Sequence, residues 1–109
     1  MPGPERTLET WCVAESNRRG ALLLKWEGAK GVPDRILIRP NIVYAKGLTY
    51  TFGAAITFVE FKAPGKKPTP IQTAMHAKLQ EHGAYVEIID SREDFVSLLG
   101  QGQPPPISA

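Results

Sequence analysis

At 109 residues the chain is the size of one domain, and its 42% apolar and 22% charged residues are ordinary for a globular protein. A single cysteine, Cys12, excludes an internal disulfide and a cysteine-built zinc site. No stretch approaches the roughly 18 consecutive apolar residues of a membrane span, and the opening residues do not read as a signal peptide, so a cytoplasmic protein is expected. The net charge of +2 hides an asymmetry: residues 1–80 hold 12 of the 13 basic residues and 6 of the 11 acids, leaving Arg92 against five acids in 81–109.

Residues 1–4 and 101–109 (QGQPPPISA) read as loose ends, the second a proline-rich tail without the apolar mass to fold. One domain over 5–100 is expected between them. Leu8, Trp11, Cys12 and Glu15 fall at helical spacing within 5–19, with Gly20 as the stop. The apolar run 21–27 has the length of a strand, and 35–39 (RILIR) alternates with period two. Residues 42–55, broken by Gly47 and Gly53, read as a hairpin-like excursion, and 56–63 (ITFVEFKA) as a strand. After the basic loop 64–70 comes a helix over 70–82, with Ile71, Ala74, Met75 and Leu79 as its apolar stripe and the stem of Lys78 along the edge. Residues 84–90 form another strand, and Ser91 caps a last helix bearing Phe95, Leu98 and Leu99. The helix 70–82 must cross over between parallel strands, whereas the earlier strands can pair antiparallel. An α/β fold follows: a mixed sheet flanked by helices, in the order α-β-β-(hairpin)-β-α-β-α.

Two features break the pattern. On the strand 56–63, Glu60 and Lys62 share one face while Val59 and Phe61 point the other way. By itself such a pair is also what a half-solvated sheet displays. At the entrance to 35–39, Pro33 restricts Val32 to extended geometry and holds Asp34 at the mouth of the strand. Together, Asp34 and Glu60 could converge on one divalent cation, since hard cations take few carboxylates plus water and phosphate oxygens. A lysine beside them could orient a water and stabilise charge on a phosphate.

The ordered set GVPDR, VEFKAPGKK, a Pro-x-Gln helix opening and a glycine-preceded strand ending Ile-Asp-Ser resembles the virus-type replication-repair nuclease (VRR-NUC) family. That family is a branch of the PD-(D/E)xK restriction-endonuclease-like superfamily, and the resemblance spans about residues 5–99. It implies metal ligation by Asp34, Glu60 and the backbone carbonyl of Phe61, with Glu9 acting directly or through a water. It further implies that Lys62 handles the nucleophile and Gln72 positions it, with Mg²⁺ or Mn²⁺ as cofactor. Glu5 is the weaker candidate for the helix glutamate. Lys66 and Lys67 follow the motif strand while Lys30 and Arg35 flank Asp34, positions suited to DNA phosphates, with Arg18 and Arg19 as further candidates.

The resemblance thus implies a structure-selective DNA endonuclease acting on branched duplexes such as Holliday junctions, as a homodimer. A non-catalytic DNA-binding or assembly module of the same fold, or a flap or restriction-type nuclease, stands as the alternative. The 25 residues between Asp34 and Glu60 exceed the compact form of the domain, with the excess in 41–55. Trp11, Trp26 and Cys12 read as core residues, and His76 and His82 as surface or helix-end residues.

Overall fold

The computed structural model describes residues 3–100, with backbone alone described for 40–45 and 48–54. Helix α1 (Pro4–Arg18) leads into β1 (Leu22–Lys25), β2 (Arg35–Ala45) and β3 (Leu48–Phe61), then α2 (Pro70–Glu81), β4 (Tyr85–Ile89) and α3 (Arg92–Gly100). The four strands lie in the sheet in chain order, β1–β2–β3 antiparallel and β3–β4 parallel across the α2 crossover. The expected mixed α/β sheet is therefore present. The expectation for the proline-rich tail lies outside the described residues.

Local chemistry accounts for the boundaries. Pro4 opens α1, where its missing N–H is no loss, one residue earlier than the periodicity suggests. At the other end Gly20 takes φ +77°, and the Ala21 and Gly20 N–H groups donate to the carbonyls of Ser16 and Asn17, a Schellman closure. Ser91 caps α3 as expected, accepting from the Asp94 N–H at 3.1 Å. The excursion over 42–55 is the distal part of one long β2–β3 hairpin, turning at Lys46 and Gly47 with φ 51° and 75°. Positive φ at both central residues suits a two-residue turn between right-twisted strands. Pro40 is tolerated within β2 because β1 pairing ends at Ile38, so the strand has a free edge there.

Register sets the two faces of the sheet. Leu23 pairs with Leu37, and with Val59, Phe61 and Ile89 they form the face covered by Leu8 and Cys12 of α1 and Phe95, Leu98 and Leu99 of α3. Trp11 is only partly buried against this core, under the Arg92 guanidinium at 4.9 Å. Arg39 closes the same layer by donating to the Leu98 carbonyl near the end of α3. On the opposite face Leu22, Leu24, Ile56 and Ile88 stand 43–51% exposed, with the Trp26 ring tilted against Phe58 at 4.8 Å. Trp26 thus packs on the open face, not in the core.

Helix α2 corrects two expectations. Ile71 is half exposed and Ala74 is exposed, so only Met75 and Leu79 of the apolar stripe reach the inward face, beside Gln72 and His76. Its one buried side chain is His76, where the sequence suggests a surface residue. The helix lies over the Glu60 side of the sheet, and that polar contact dictates its rotation.

Candidate active site

The site forms where β2 begins and β3 ends. Arg35 pairs with Val59, so Asp34 falls one step further along, beside Glu60 and Phe61. One Asp34 oxygen accepts the Phe61 N–H at 2.8 Å, which fixes both the carboxylate and the peptide next to it. Glu60 is 1% exposed, inside a sheet that offers it little water. Burial pushes its pKa up to about 8, reinforced by the adjacent Asp34 carboxyl with which it hydrogen-bonds and opposed by Lys62.

Lys62 stands on the same face, its Nζ 3.9 Å from Glu60 Oε2, as the alternation of the strand predicts. Gln72 reaches the site because of how α2 starts. Thr69 is the N-cap and Gln72 the N3 residue of a complete capping box: Thr69 Oγ1 accepts the Gln72 N–H, and Gln72 Oε1 accepts the Thr69 N–H at 2.9 Å. Because the amide oxygen is committed to the cap, the amide nitrogen points the other way, 3.4 Å from Glu60 Oε2. The T-x-x-Q spacing was available in the sequence as the signal for this anchor.

His76, one turn further on, places Nε2 3.4 Å from Glu60 Oε1. Burial and the nearby Lys62 charge push the pKa of its imidazole down, with Asp34 opposing. Helical spacing from Gln72 was the only sequence signal for it. The loop carrying Asp34 is locked to the same helix at Gly31, where φ is +86° and a Cβ would lie 2.8 Å from the Ile71 carbonyl oxygen. Only glycine permits that approach.

The two helix glutamates part company. Glu9 is held by Arg35, Nε to Oε2 at 2.6 Å, in a part-buried ion pair. Glu5, one turn earlier, is close enough to Asp34, Lys62 and Glu9 for them to influence its carboxyl, whose pKa is raised chiefly by burial. Both glutamates, with Arg6, Thr10, Lys25 and Arg35, line a polar groove of about 520 Å³. Arg35 is thereby engaged within the fold, whereas Lys30, Lys66 and Lys67 are exposed. Arg18 and Arg19 are likewise engaged, both by Glu15, at 2.8 and 2.9 Å. His82 is a helix-end residue, as expected, with Nδ1 2.7 Å from the Lys78 carbonyl oxygen.

No group of three His, Cys, Asp or Glu side chains gathers with metal-ligating geometry among the described residues. The donors present still fit a hard divalent cation. Glu60 Oε1 is buried without a hydrogen-bond partner, its carboxyl sits against that of Asp34, and Mg²⁺ characteristically takes only one or two protein carboxylates.

Fold and site together define a restriction-endonuclease-like α/β domain, with acids on adjoining strands and a lysine two residues beyond the second. No family model matches the chain. It is 38% identical over 97 residues to "Putative nuclease p44" of Acyrthosiphon pisum secondary endosymbiont phage 1, covering 87% of this chain and 90% of that protein. A solved structure described as a VRR_NUC domain superposes with a TM-score of 0.68 at 26% identity, over 92% of this chain and 98% of that one. The chain belongs to the VRR-NUC family and is a nuclease.

Proposed function

We propose that the chain is a Mg²⁺- or Mn²⁺-dependent DNA endonuclease acting on branched duplexes such as Holliday junctions, in the cytoplasm and as a homodimer. The observation that carries this reading is the buried Glu60 carboxyl set against the part-buried Asp34, two acids side by side with the Lys62 ammonium 3.9 Å from Glu60. Asp34, Glu60 and the Phe61 carbonyl are the groups that would hold the cation. When bound, it supplies charge stabilisation at the phosphate and a more acidic water.

The chain's own residues do the rest. The Lys62 ammonium orients the attacking water and neutralises charge developing on the phosphate oxygens. The Gln72 amide, anchored by the helix cap, positions that water. Glu5 and Glu9 offer outer carboxylates at the mouth of the site, Glu9 once Arg35 releases it. Lys30, Lys66 and Lys67, and Arg35 when freed from Glu9, contact the DNA backbone without reading its sequence.

Paired cuts in a symmetric junction need two such sites related by a twofold axis. The open apolar face with Leu22, Leu24 and Ile56 is the surface on which a second copy would dock. The test is incubation of purified protein with Mg²⁺ or Mn²⁺ and end-labelled four-way, flap and linear duplexes, with light scattering for mass. Metal-dependent cleavage of four-way DNA by a dimer, lost in Lys62→Ala with DNA binding retained, is expected. Preference for flap or linear DNA transfers the reading to a flap or restriction-type nuclease. Binding without turnover makes the chain an assembly module.

A further inference from the structure

The side chain that helix α2 buries most deeply is a histidine, while Ile71 on the same helix stays half exposed. Burying an imidazole is unfavourable unless its polar atoms find partners, and a leucine would serve mere packing better. His76 Nε2 lies 3.4 Å from Glu60 Oε1, and both atoms are buried with no hydrogen-bond partner, each facing the other. One turn earlier, the Gln72 amide addresses the second oxygen of the same carboxylate. Two residues four apart on one helix face therefore bracket the two oxygens of Glu60. Each carboxylate oxygen has a second acceptor position, so donors on the helix side leave the other side free for a cation.

We propose that His76 is a positioning residue, donating from Nε2 to Glu60 Oε1 and fixing the orientation in which that carboxylate meets the divalent cation. The inference rests on the metal-dependent reading above. It gives the imidazole a role through Glu60, with no contact to DNA. Partners of this kind around a ligating carboxylate typically change metal affinity by about 10–100-fold when removed.

The test is Mn²⁺ binding to the full chain by calorimetry, with steady-state cleavage of the preferred DNA measured on the same samples. His76→Ala is expected to weaken Mn²⁺ binding by roughly 10–100-fold. At fixed Mn²⁺ it should lower kcat with little change in KM for DNA. His76→Gln, whose amide nitrogen reaches close to the position of Nε2, is expected to recover most of the affinity. His76→Asn, polar but too short, is expected to recover none. If His76→Ala does not fold, the glutamine–asparagine contrast decides alone. Unchanged Mn²⁺ affinity in His76→Ala, or equal affinity in His76→Gln and His76→Asn, overturns the proposal. If Glu60→Gln abolishes binding while His76→Ala does not, the role of His76 fails and the metal-dependent reading survives. Absence of Mn²⁺ binding by the unsubstituted chain removes both.

Discussion

The strongest consequence of the buried Glu60 carboxyl beside Asp34 concerns the metal-free protein and its response to alkali. Glu60 holds its proton in the folded state up to about pH 8 and releases it on unfolding at any pH above the ordinary carboxyl value of 4.5. Unfolding between those limits therefore releases a proton. Glu60 contributes most below pH 4.5, loses that contribution steadily as pH rises, and levels off above pH 8. A shift of that size corresponds to a ceiling of about 5 kcal/mol. Because Glu60 is coupled to its neighbours, a loss of about 2–3 kcal/mol is the working expectation, or on the order of 10 °C in melting temperature for a domain this small.

The assay is urea denaturation in the presence of a chelator at pH 5, 7 and 8.5, on the unsubstituted chain and on Glu60→Gln. Glutamine cannot ionise, so the variant's pH profile is expected to be flatter, with the variant the more stable protein at pH 8.5. Mn²⁺ at a hundredfold excess over its dissociation constant should then reverse the order, stabilising the unsubstituted chain by about 2.7 kcal/mol. Parallel pH profiles for the two proteins without metal would refute the claim that Glu60 is held protonated by burial beside Asp34.

Three further outcomes follow from individual contacts. Thr69→Ala removes the hydroxyl half of the capping box and is expected to cost about 1 kcal/mol in urea denaturation, with Thr69→Ser close to unchanged. Its cleavage rate should fall no further than its stability, because the Gln72 amide oxygen keeps its anchor on the backbone N–H of residue 69. Gly31→Ala forces a Cβ to within 2.8 Å of the Ile71 carbonyl at a left-handed φ, and a loss of about 1–3 kcal/mol by thermal denaturation is expected. Replacing Lys66 and Lys67 together with alanine should weaken binding to all DNA shapes alike. It should also flatten the salt dependence of the binding constant by a slope of roughly 2, measured by fluorescence anisotropy.

Much of this architecture was legible because its signals are local. Alternation over 56–63 puts Glu60 and Lys62 on one face and Val59 and Phe61 in the core, where both are fully buried. Pro33 and Asp34 mark the entrance of β2, and Ser91 marks the start of α3. What escaped depends on contacts across the fold. Glu5 and Glu9 lie one turn apart on the same face, so spacing cannot separate them. The Arg35 guanidinium does, by engaging Glu9. His76 escaped for a related reason. Apolar residues on a helix are ordinarily its buried side, yet α2 turns Gln72 and His76 toward a carboxylate and leaves Ile71 half in water.

The amide of Gln72 is shared between two tasks, one oxygen closing the first turn of α2 and one nitrogen facing Glu60. Helix ends open before helix middles, at a free-energy cost well below that of global unfolding. Warming or mild denaturant that frays Thr69–Gln72 therefore turns the amide away from Glu60 while the sheet and the α1–α3 layer remain intact. Inactivation should run ahead of unfolding in this domain, so its working temperature ceiling lies below its melting point and is set by a single turn of helix.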